Sequence, residues 1–270
     1  MILPAKKSLG QHFLLNPTTI EALLSKAQVS SGDQILEIGP GPGVMTRLLL
    51  RRGARVVAVE KDHRLVELLR EELKEFPHLT LIEGDILETD LDKTLSAGKW
   101  KVVANLPYNI STQVVFHLLE KSLLFNFFYL MFQKEVALRF VASPGSRDYG
   151  LLPIFSQILS ENRILLKLPP GAFTPPPQVS SALVEFRLHE APRFPIVNLP
   201  FFEKVVQASF AHRRKMIRNC LRDGLATTPS ESLDVALSVA GIAPSIRAEE
   251  LSIGQFTTLA NHLYSTSGIS

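Results

Sequence analysis

Cysteine is almost missing. Cys220 stands alone in 270 residues, which excludes an internal disulfide framework and fits a reducing cytosol. Long apolar runs are missing too. The most apolar stretch, Leu123 to Phe132, is ten residues with Asn126 inside it. A bilayer crossing needs about 20 such residues, so this stretch reads as a central strand and no membrane partner is expected. Met1 to Leu15 carries Lys6 and Lys7 with no apolar stretch behind them, so no signal peptide is expected and a cytoplasmic location is. There is no internal repeat and no low-complexity tract. No strong excess of one charge exists either: the net charge is +3, although the isoelectric point is near 9.0. Any nucleic-acid role must therefore rest on local clusters. No cysteine or metal-ligand cluster accompanies the chain's motifs, and no metal is expected.

The chain does have ample apolar content. A hydrophobic fraction of 46% and a mean hydropathy of +0.14 are enough to fill a core. Strand-like and helix-like segments alternate through the first two thirds. Gln34 to Ile38, Arg55 to Val59, Leu79 to Ile82 and Trp100 to Ala104 read as strands. Val44 to Arg52, Asp62 to Phe76, Ser111 to about Lys121 and Gln133 to Ala142 read as helices, with Asp62 and Ser111 as caps. Arg163 to Leu168 and Ser181 to Leu188 read as late strands. This alternation predicts an α/β fold with a mostly parallel, doubly wound sheet. Prolines 192, 195 and 200 then interrupt the pattern, and the rest of the chain reads as helical: Phe201 to Arg222, Glu231 to Ala240, and about Gly254 to Tyr264. The expected division is residues 1–192 and a small all-helical domain, 193–270.

Chemistry concentrates at the strand ends. The first strand runs into Glu37-Ile38-Gly39-Pro40-Gly41-Pro42-Gly43, and a helix comes next, the context of a nucleotide site. Gly39 and Gly41 let backbone approach a ligand closely. The spacing departs from G-x-G-x-x-G, and Pro40 and Pro42 remove N–H groups that a pyrophosphate would want. That favours a ligand without phosphates, such as S-adenosylmethionine. Glu60 ends the next strand, 21 positions after Gly39, where a carboxylate accepts ribose hydroxyls. Asp85, one unit further on, is placed to accept the adenine amino group.

Asn105-Leu106-Pro107-Tyr108 comes directly after the fourth strand. An exocyclic amine on a base is a poor nucleophile, because its lone pair is shared with the ring. Two acceptors on its hydrogens, the Asn105 side-chain oxygen and the Leu106 carbonyl, would localise that lone pair and aim it. Pro107 withholds an N–H and stiffens the turn, and Tyr108 offers a ring for stacking. Transfer from a sulfonium needs no strong base, so positioning and electrostatics carry the rate.

These stretches resemble the ribosomal RNA adenine dimethylase family, in its bacterial small-subunit branch. The resemblance runs through Leu9 to Leu14, Glu37 to Gly43, Val59-Glu60, Gly84-Asp85, NLPYNIST at Asn105 to Thr112, Gln133 to Glu135, and FTPPP at Phe173 to Pro177. It implies a Rossmann-like class I methyltransferase that uses S-adenosylmethionine. The implied reaction dimethylates N6 of two adjacent adenines near the 3′ end of small-subunit (16S) rRNA, acting on the assembling 30S particle as a monomer. The base must leave its stack to react. The resemblance favours Phe173, on a stiff Pro-rich loop, as the second side of a base sandwich opposite Tyr108. It adds His12 and Leu14, with the Asn105 backbone, to the cofactor contacts. His12 is a departure, since the bacterial family often has Asn there, and it is expected near the methionine part of the cofactor. One late strand is expected to run antiparallel.

A basic row lies in the C-terminal part. If Phe201 to Arg222 is one helix, Val206, Phe210, Ile217 and Leu221 share an apolar face. Arg214, Arg218 and Arg222 then line up beside it, with Lys215 near, as a grip for RNA phosphates. Arg213 points to the apolar seam. Three other readings compete: a large-subunit rRNA adenine methylase of the macrolide-resistance type, a non-catalytic ribosome-assembly factor on this fold, and a nicotinamide-dependent oxidoreductase. The glycine spacing disfavours the last of these.

Overall fold

The structure is a computed structural model and describes residues 4–6, 9–212, 214–226 and 228–266. Lys7 and Arg213 lie outside the described residues. The chain forms two compact units, residues 1–137 with 160–190, and residues 138–159 with 191–270.

The first unit is built on a seven-stranded sheet. Its strands are β2 (Gln34–Ile38), β3 (Arg55–Glu60), β4 (Leu79–Glu83), β5 (Trp100–Asn105), β6 (Phe125–Gln133), β7 (Ser160–Leu168) and β9 (Ser181–Leu188), in the order β4-β3-β2-β5-β6-β9-β7. The β2–β3, β3–β4, β2–β5 and β5–β6 pairs are parallel, whereas β9 runs antiparallel to both β6 and β7. The expected antiparallel member is therefore β9. Two short strands, β1 (Phe13–Leu14) and β8 (Phe173–Thr174), pair antiparallel apart from the sheet.

Parallel strands need cover on both faces, which is why β2, β3 and β5 read as near-continuous apolar runs. On one face α1 (Pro17–Lys26) and α2 (Val44–Arg51) bury Ile20, Leu24 and Leu49 in a cluster with Ile35, Val56 and Ala58. Helix α1 starts where Asn16 accepts the Thr19 N–H at 3.1 Å and Pro17 opens the first turn, a signature of a helix start. Helix α3 (His63–Glu72) is capped by Asp62 as expected, α4 (Leu91–Thr94) is a single turn, and α5 (Ser111–Glu120) comes after β5. Ser111 does not cap α5. It is the first helical residue, and its hydroxyl donates to the Tyr108 carbonyl at 3.1 Å.

From β2 the chain winds outward through β3 and β4, then returns to β5 on the other flank of β2. That reversal opens a crevice at the carboxyl ends of β2 and β5, where open α/β sheets bind ligands. The register pairs Ile38 with both Val59 and Ala104, so Gly39, Glu60 and Asn105 leave the sheet side by side.

The second unit is helical: α7 (Leu151–Gln157), α8 (Leu199–Phe210), α9 (Ile217–Gly224), α10 (Ser230–Val239) and α11 (Ile253–Thr266). The division expected at residue 192 falls at Glu190/Ala191, and residues 138–159 belong with the C-terminal helices. The reason is packing: Ile154 and Ile158 of the α7 segment join Phe202, Val206, Leu237 and Phe256 in one core. The helix before it, α6 (Lys134–Phe140), starts one residue later than expected, because Gln133 ends β6.

The single helix expected over Phe201 to Arg222 is also corrected, because it breaks into α8 and α9. A straight helix of that length would reach about 33 Å at 1.5 Å per residue. Folding back instead buries Val206 of α8 and Ile217 and Leu221 of α9 in the same core. The turn is fixed by the Ile217 N–H donating to the Ile246 carbonyl at 2.8 Å. A Cβ on Gly224 would meet Ala208 Cβ at 2.6 Å, so the hairpin requires glycine there.

Candidate active site

The crevice at the sheet's carboxyl edge is a cleft of about 230 Å³. Gly39, Gly41, Glu60, Asp85, Asn105 and His12 all line it. Sequence reasoning names these residues from five separate stretches, and the fold brings them to one cleft.

Gly41 sits at φ +59°, and a Cβ there would meet the Phe13 ring at 2.9 Å. Its N–H donates to Glu60 Oε2 at 3.1 Å, and the Asp62 N–H donates to Oε1 at 2.8 Å. Glu60 is thus fixed by two backbone donors, 5% exposed, with spare lone pairs toward the cleft. Burial pushes its carboxyl above the usual range, and those donors hold it back. One strand inward, Glu37 is fully buried and neither of its oxygens has a hydrogen-bond partner. Burial pushes its carboxyl up to about 8; the nearby Thr46 hydroxyl opposes this and the Glu60 charge adds to it.

Asp85 is organised differently. Its Oδ1 accepts the Leu87 N–H at 3.0 Å, and its Oδ2 accepts the Lys61 ammonium at 2.6 Å. The Lys61 hydrogen bond holds the Asp85 carboxyl below its ordinary value, so it stays an acceptor. Sequence reasoning missed Lys61, although its place directly after the strand-end Glu60 was a usable signal.

The segment before β1 is tied down by Asp62. This carboxylate takes two bonds from Arg64, at 3.1 and 2.7 Å, and one from Lys6 at 3.0 Å. Gln11 lies 3.4 Å away. Arg64 first, with help from Lys6 and Gln11, holds Asp62 well below the usual carboxylate range. This anchor lays residues 9–13 along the cleft and delivers His12.

Asn105 Nδ2 donates to the His12 carbonyl at 2.6 Å. A carbonyl only accepts, so the amide orientation is settled: the NH₂ faces His12 and Oδ1 faces away. That Oδ1 is buried and has no protein partner. An unpaired buried acceptor costs about 1–3 kcal/mol, and such orphans mark functional sites. Leu106 and Pro107 line the cleft beside it, and the Pro107 carbonyl closes the turn on the Ile110 N–H at 3.2 Å. The Tyr108 hydroxyl pairs with Ser181 Oγ at 2.6 Å, and its ring stacks on His12 with centroids 5.6 Å apart and planes 23° apart. Burial raises the Tyr108 phenol, opposed by Ser181.

One expectation is corrected here. Phe173 is 2% exposed and sits in the apolar cluster with Leu14, because the β1–β8 ladder pairs Leu14 with Phe173 and folds the ring inward. It is not presented to an incoming base. Leu14 has its side chain in the same cluster and lines a smaller pocket that shares Phe13, Gly39, Gly41 and Asn105 with the cleft.

The basic row is also rearranged. Arg214 and Lys215 lie exposed in the turn between α8 and α9, while Arg218 and Arg222 lie on α9. Arg218 makes a two-pronged pair with Asp234, one prong at 2.7 Å. Asp223 accepts from Arg222 at 3.2 Å and from Lys215 at 3.3 Å. Arg214 has no ion pair among the described residues. No described helix is long and apolar enough to cross a membrane.

The chain is similar to known proteins in sequence and fold. Residues 2–265 match the family described as ribosomal RNA adenine dimethylase. The ribosomal RNA small subunit methyltransferase A of Geobacter metallireducens is 41% identical over 267 residues, covering 98% of this chain and 97% of that one. The protein of the same name from Latilactobacillus sakei is 41% identical, covering 96% and 89%. Among solved structures, a dimethyladenosine transferase from Plasmodium falciparum superposes with a TM-score of 0.83 at 24% identity, covering 95% of this chain and 98% of that one. The 23S rRNA methyltransferase ErmE gives 0.72 at 27% identity, covering 93% and 99%. With a glycine turn, strand-end carboxylates and an orphaned asparagine oxygen on one cleft, and with relatives that match along nearly its whole length, the chain belongs to the ribosomal RNA adenine dimethylase family.

Proposed function

We propose that this protein dimethylates N6 of two adjacent adenines near the 3′ end of small-subunit rRNA, with S-adenosylmethionine as methyl donor. The observation that carries the reading is Asn105 Oδ1, an acceptor at the cleft with no partner and an orientation fixed by His12. The small-subunit target is supported by 41% identity to relatives named for it, against 27% to a 23S rRNA methyltransferase.

The residues fit the cofactor. Gly41, where a side chain would strike Phe13, leaves a backbone surface for close approach. Glu60 offers lone pairs to vicinal hydroxyls, and Asp85, held ionised by Lys61, offers them to an amino group. S-adenosylmethionine supplies an electrophilic methyl on a sulfonium. The protein supplies position: Asn105 Oδ1 takes one N6 hydrogen and the Leu106 carbonyl the other, which turns the amine lone pair out of conjugation. No side chain has to take a proton before transfer, since the attacking amine is neutral. After transfer the nitrogen is acidic, and its proton passes to solvent.

Arg214, exposed in the α8–α9 turn, is the first proposed phosphate contact, with Lys215 beside it, itself paired with Asp223. Arg218 and Arg222, engaged by Asp234 and Asp223, come second. The substrate is proposed to be the assembling 30S particle, and the enzyme a cytoplasmic monomer. The test is methyl transfer from labelled S-adenosylmethionine to small-subunit particles lacking the modification, with the modified base mapped. Label on two adjacent adenines near the 3′ end of the small-subunit RNA is the expected result. Label only on large-subunit RNA, or bound cofactor without turnover, would overturn it.

A further inference from the structure

We propose that Asp62 is a positioning residue for methyl transfer: its carboxylate sets the N-terminal segment so that the His12 carbonyl holds the Asn105 amide with Oδ1 toward the target amine. This rests on the proposed methyltransferase function. Asp62 does not line the cleft, and its side chain is fully buried. Capping α3 takes only one of its bonds, from the Arg64 N–H at 3.3 Å. Oδ1 also accepts Arg64 Nε at 3.1 Å and the Lys6 ammonium at 3.0 Å. Oδ2 accepts Arg64 Nη2 at 2.7 Å and Gln11 Nε2 at 3.4 Å. A helix cap needs one acceptor. The Lys6 and Gln11 donors come from 56 and 51 positions away and are joined to each other, since the Lys6 N–H donates to Gln11 Oε1 at 2.7 Å.

From Gln11 the path to the chemistry is one residue long. The His12 carbonyl accepts Asn105 Nδ2 at 2.6 Å, and this bond decides which end of the amide is left for the amine. On the other side of Gln11, Gly10 lies against the same turn: at φ +60°, a Cβ there would meet Asn109 Oδ1 at 3.0 Å. Gln11 thus sits between the two points where the segment meets the turn after β5, and Asp62 holds Gln11. A shift of about 1 Å at His12 would take the Asn105 bond outside hydrogen-bond range, and misplacement on that scale costs about a hundredfold in rate. Asp62 also serves the cofactor side, because its N–H donates to Glu60 Oε1 at 2.8 Å. That bond is made by backbone and survives a side-chain substitution, so the two effects can be separated.

The experiment measures Asp62→Asn and Lys6→Met, each in the parent and in Asn105→Ala. Asp62→Asn keeps the shape and an acceptor for the α3 cap, and loses the charge. Lys6→Met leaves the whole cap in place, so it decides the matter if Asp62→Asn does not fold. S-adenosylmethionine affinity is read by calorimetry, and single-turnover transfer to unmethylated small-subunit particles at saturating cofactor gives the rate. The side-chain amide signals of Asn105, assigned by their loss in Asn105→Ala, report its hydrogen bond by NMR without turnover. Asp62→Asn should lower the rate by about tenfold and Lys6→Met by about threefold, while cofactor affinity stays within about fivefold. In the Asn105→Ala background the same substitutions should change the rate by less than about twofold, because residues that act as a unit are not additive. The Asn105 amide signals should move in both variants.

The same loss with and without Asn105 would overturn the assignment, since Asp62 would then act only through the fold. So would an unchanged rate, or a loss that more cofactor restores. If the parent transfers no methyl to the particles, the functional reading fails, and the amide signals still decide: signals that stay in place in both variants would show that Asp62 does not set Asn105.

Discussion

Glu37→Gln should change how stability depends on pH. Glu37 is fully buried on β2, without a hydrogen-bond partner, and its carboxyl is pushed up to about 8 from an ordinary 4.5. The folded protein therefore holds a proton there that the unfolded chain has already lost above pH 4.5. Between those two values the native state binds more protons, so stability falls as pH rises and levels off above about 8. At roughly 1.36 kcal/mol per pH unit, the full fall is about 5 kcal/mol, and about 3 kcal/mol of it lies between pH 6 and 9. Glutamine has the same shape and no titration. Its amide meets the same burial and the same Thr46 hydroxyl, so the absolute stability of the variant is set by opposed effects; the slope is the clean quantity. Urea unfolding of both proteins at pH 6, 7, 8 and 9 measures it. Glu60 titrates in both proteins and largely cancels in the difference. The variant should gain on the parent by about 3 kcal/mol from pH 6 to 9. Parallel curves would show that Glu37 is not a buried, protonated group, and the reasoning would fail.

Asp85→Ala should weaken S-adenosylmethionine binding by about 1–3 kcal/mol, the cost of losing a charged hydrogen-bond partner; calorimetry that finds no change removes Asp85 from the site. Phe173→Ala should cost about 3–5 kcal/mol of stability as a core truncation, read by denaturant melting; an unchanged midpoint with lost methyl transfer would restore the base-stacking role. Arg214→Gln should lower the salt slope of particle binding by roughly 0.7–0.9, whereas Arg218→Gln, already engaged by Asp234, should change it less. Equal slopes for both variants would show that Asp234 does not hold Arg218 back from phosphate.

The site was legible where chemistry is tied to short-range pattern. A strand, a glycine turn and a helix fix Gly39 and Gly41 without knowledge of the rest of the chain. Glu60, Asp85 and Asn105 could be placed on one cleft because a parallel sheet sends successive strand ends to one edge, so position along the sequence becomes position in space. The features that stayed hidden depend on partners far away in the chain. The periodicity of Val206, Phe210, Ile217 and Leu221 suits one helix as well as two that fold back, and only the Ile246 carbonyl and the Gly224–Ala208 contact decide for two. Likewise the Arg218 row looks unopposed until Asp234 arrives from α10. Phe173 sits on a loop whose prolines suggest display, but its ladder with Leu14 turns the ring inward. The bond that orients Asn105 spans 93 positions to His12, and no local pattern carries it.

The most direct test of the account is Asn105→Ala, with cofactor affinity and single-turnover methyl transfer measured on the same small-subunit particles. The Asn105 oxygen is assigned to the target amine and not to the cofactor side chains. Methyl transfer should therefore fall by about a hundredfold or more, the scale seen when one charge-stabilising contact is removed. Cofactor affinity should stay within a few-fold. Transfer that survives within a few-fold of the parent would contradict the central claim.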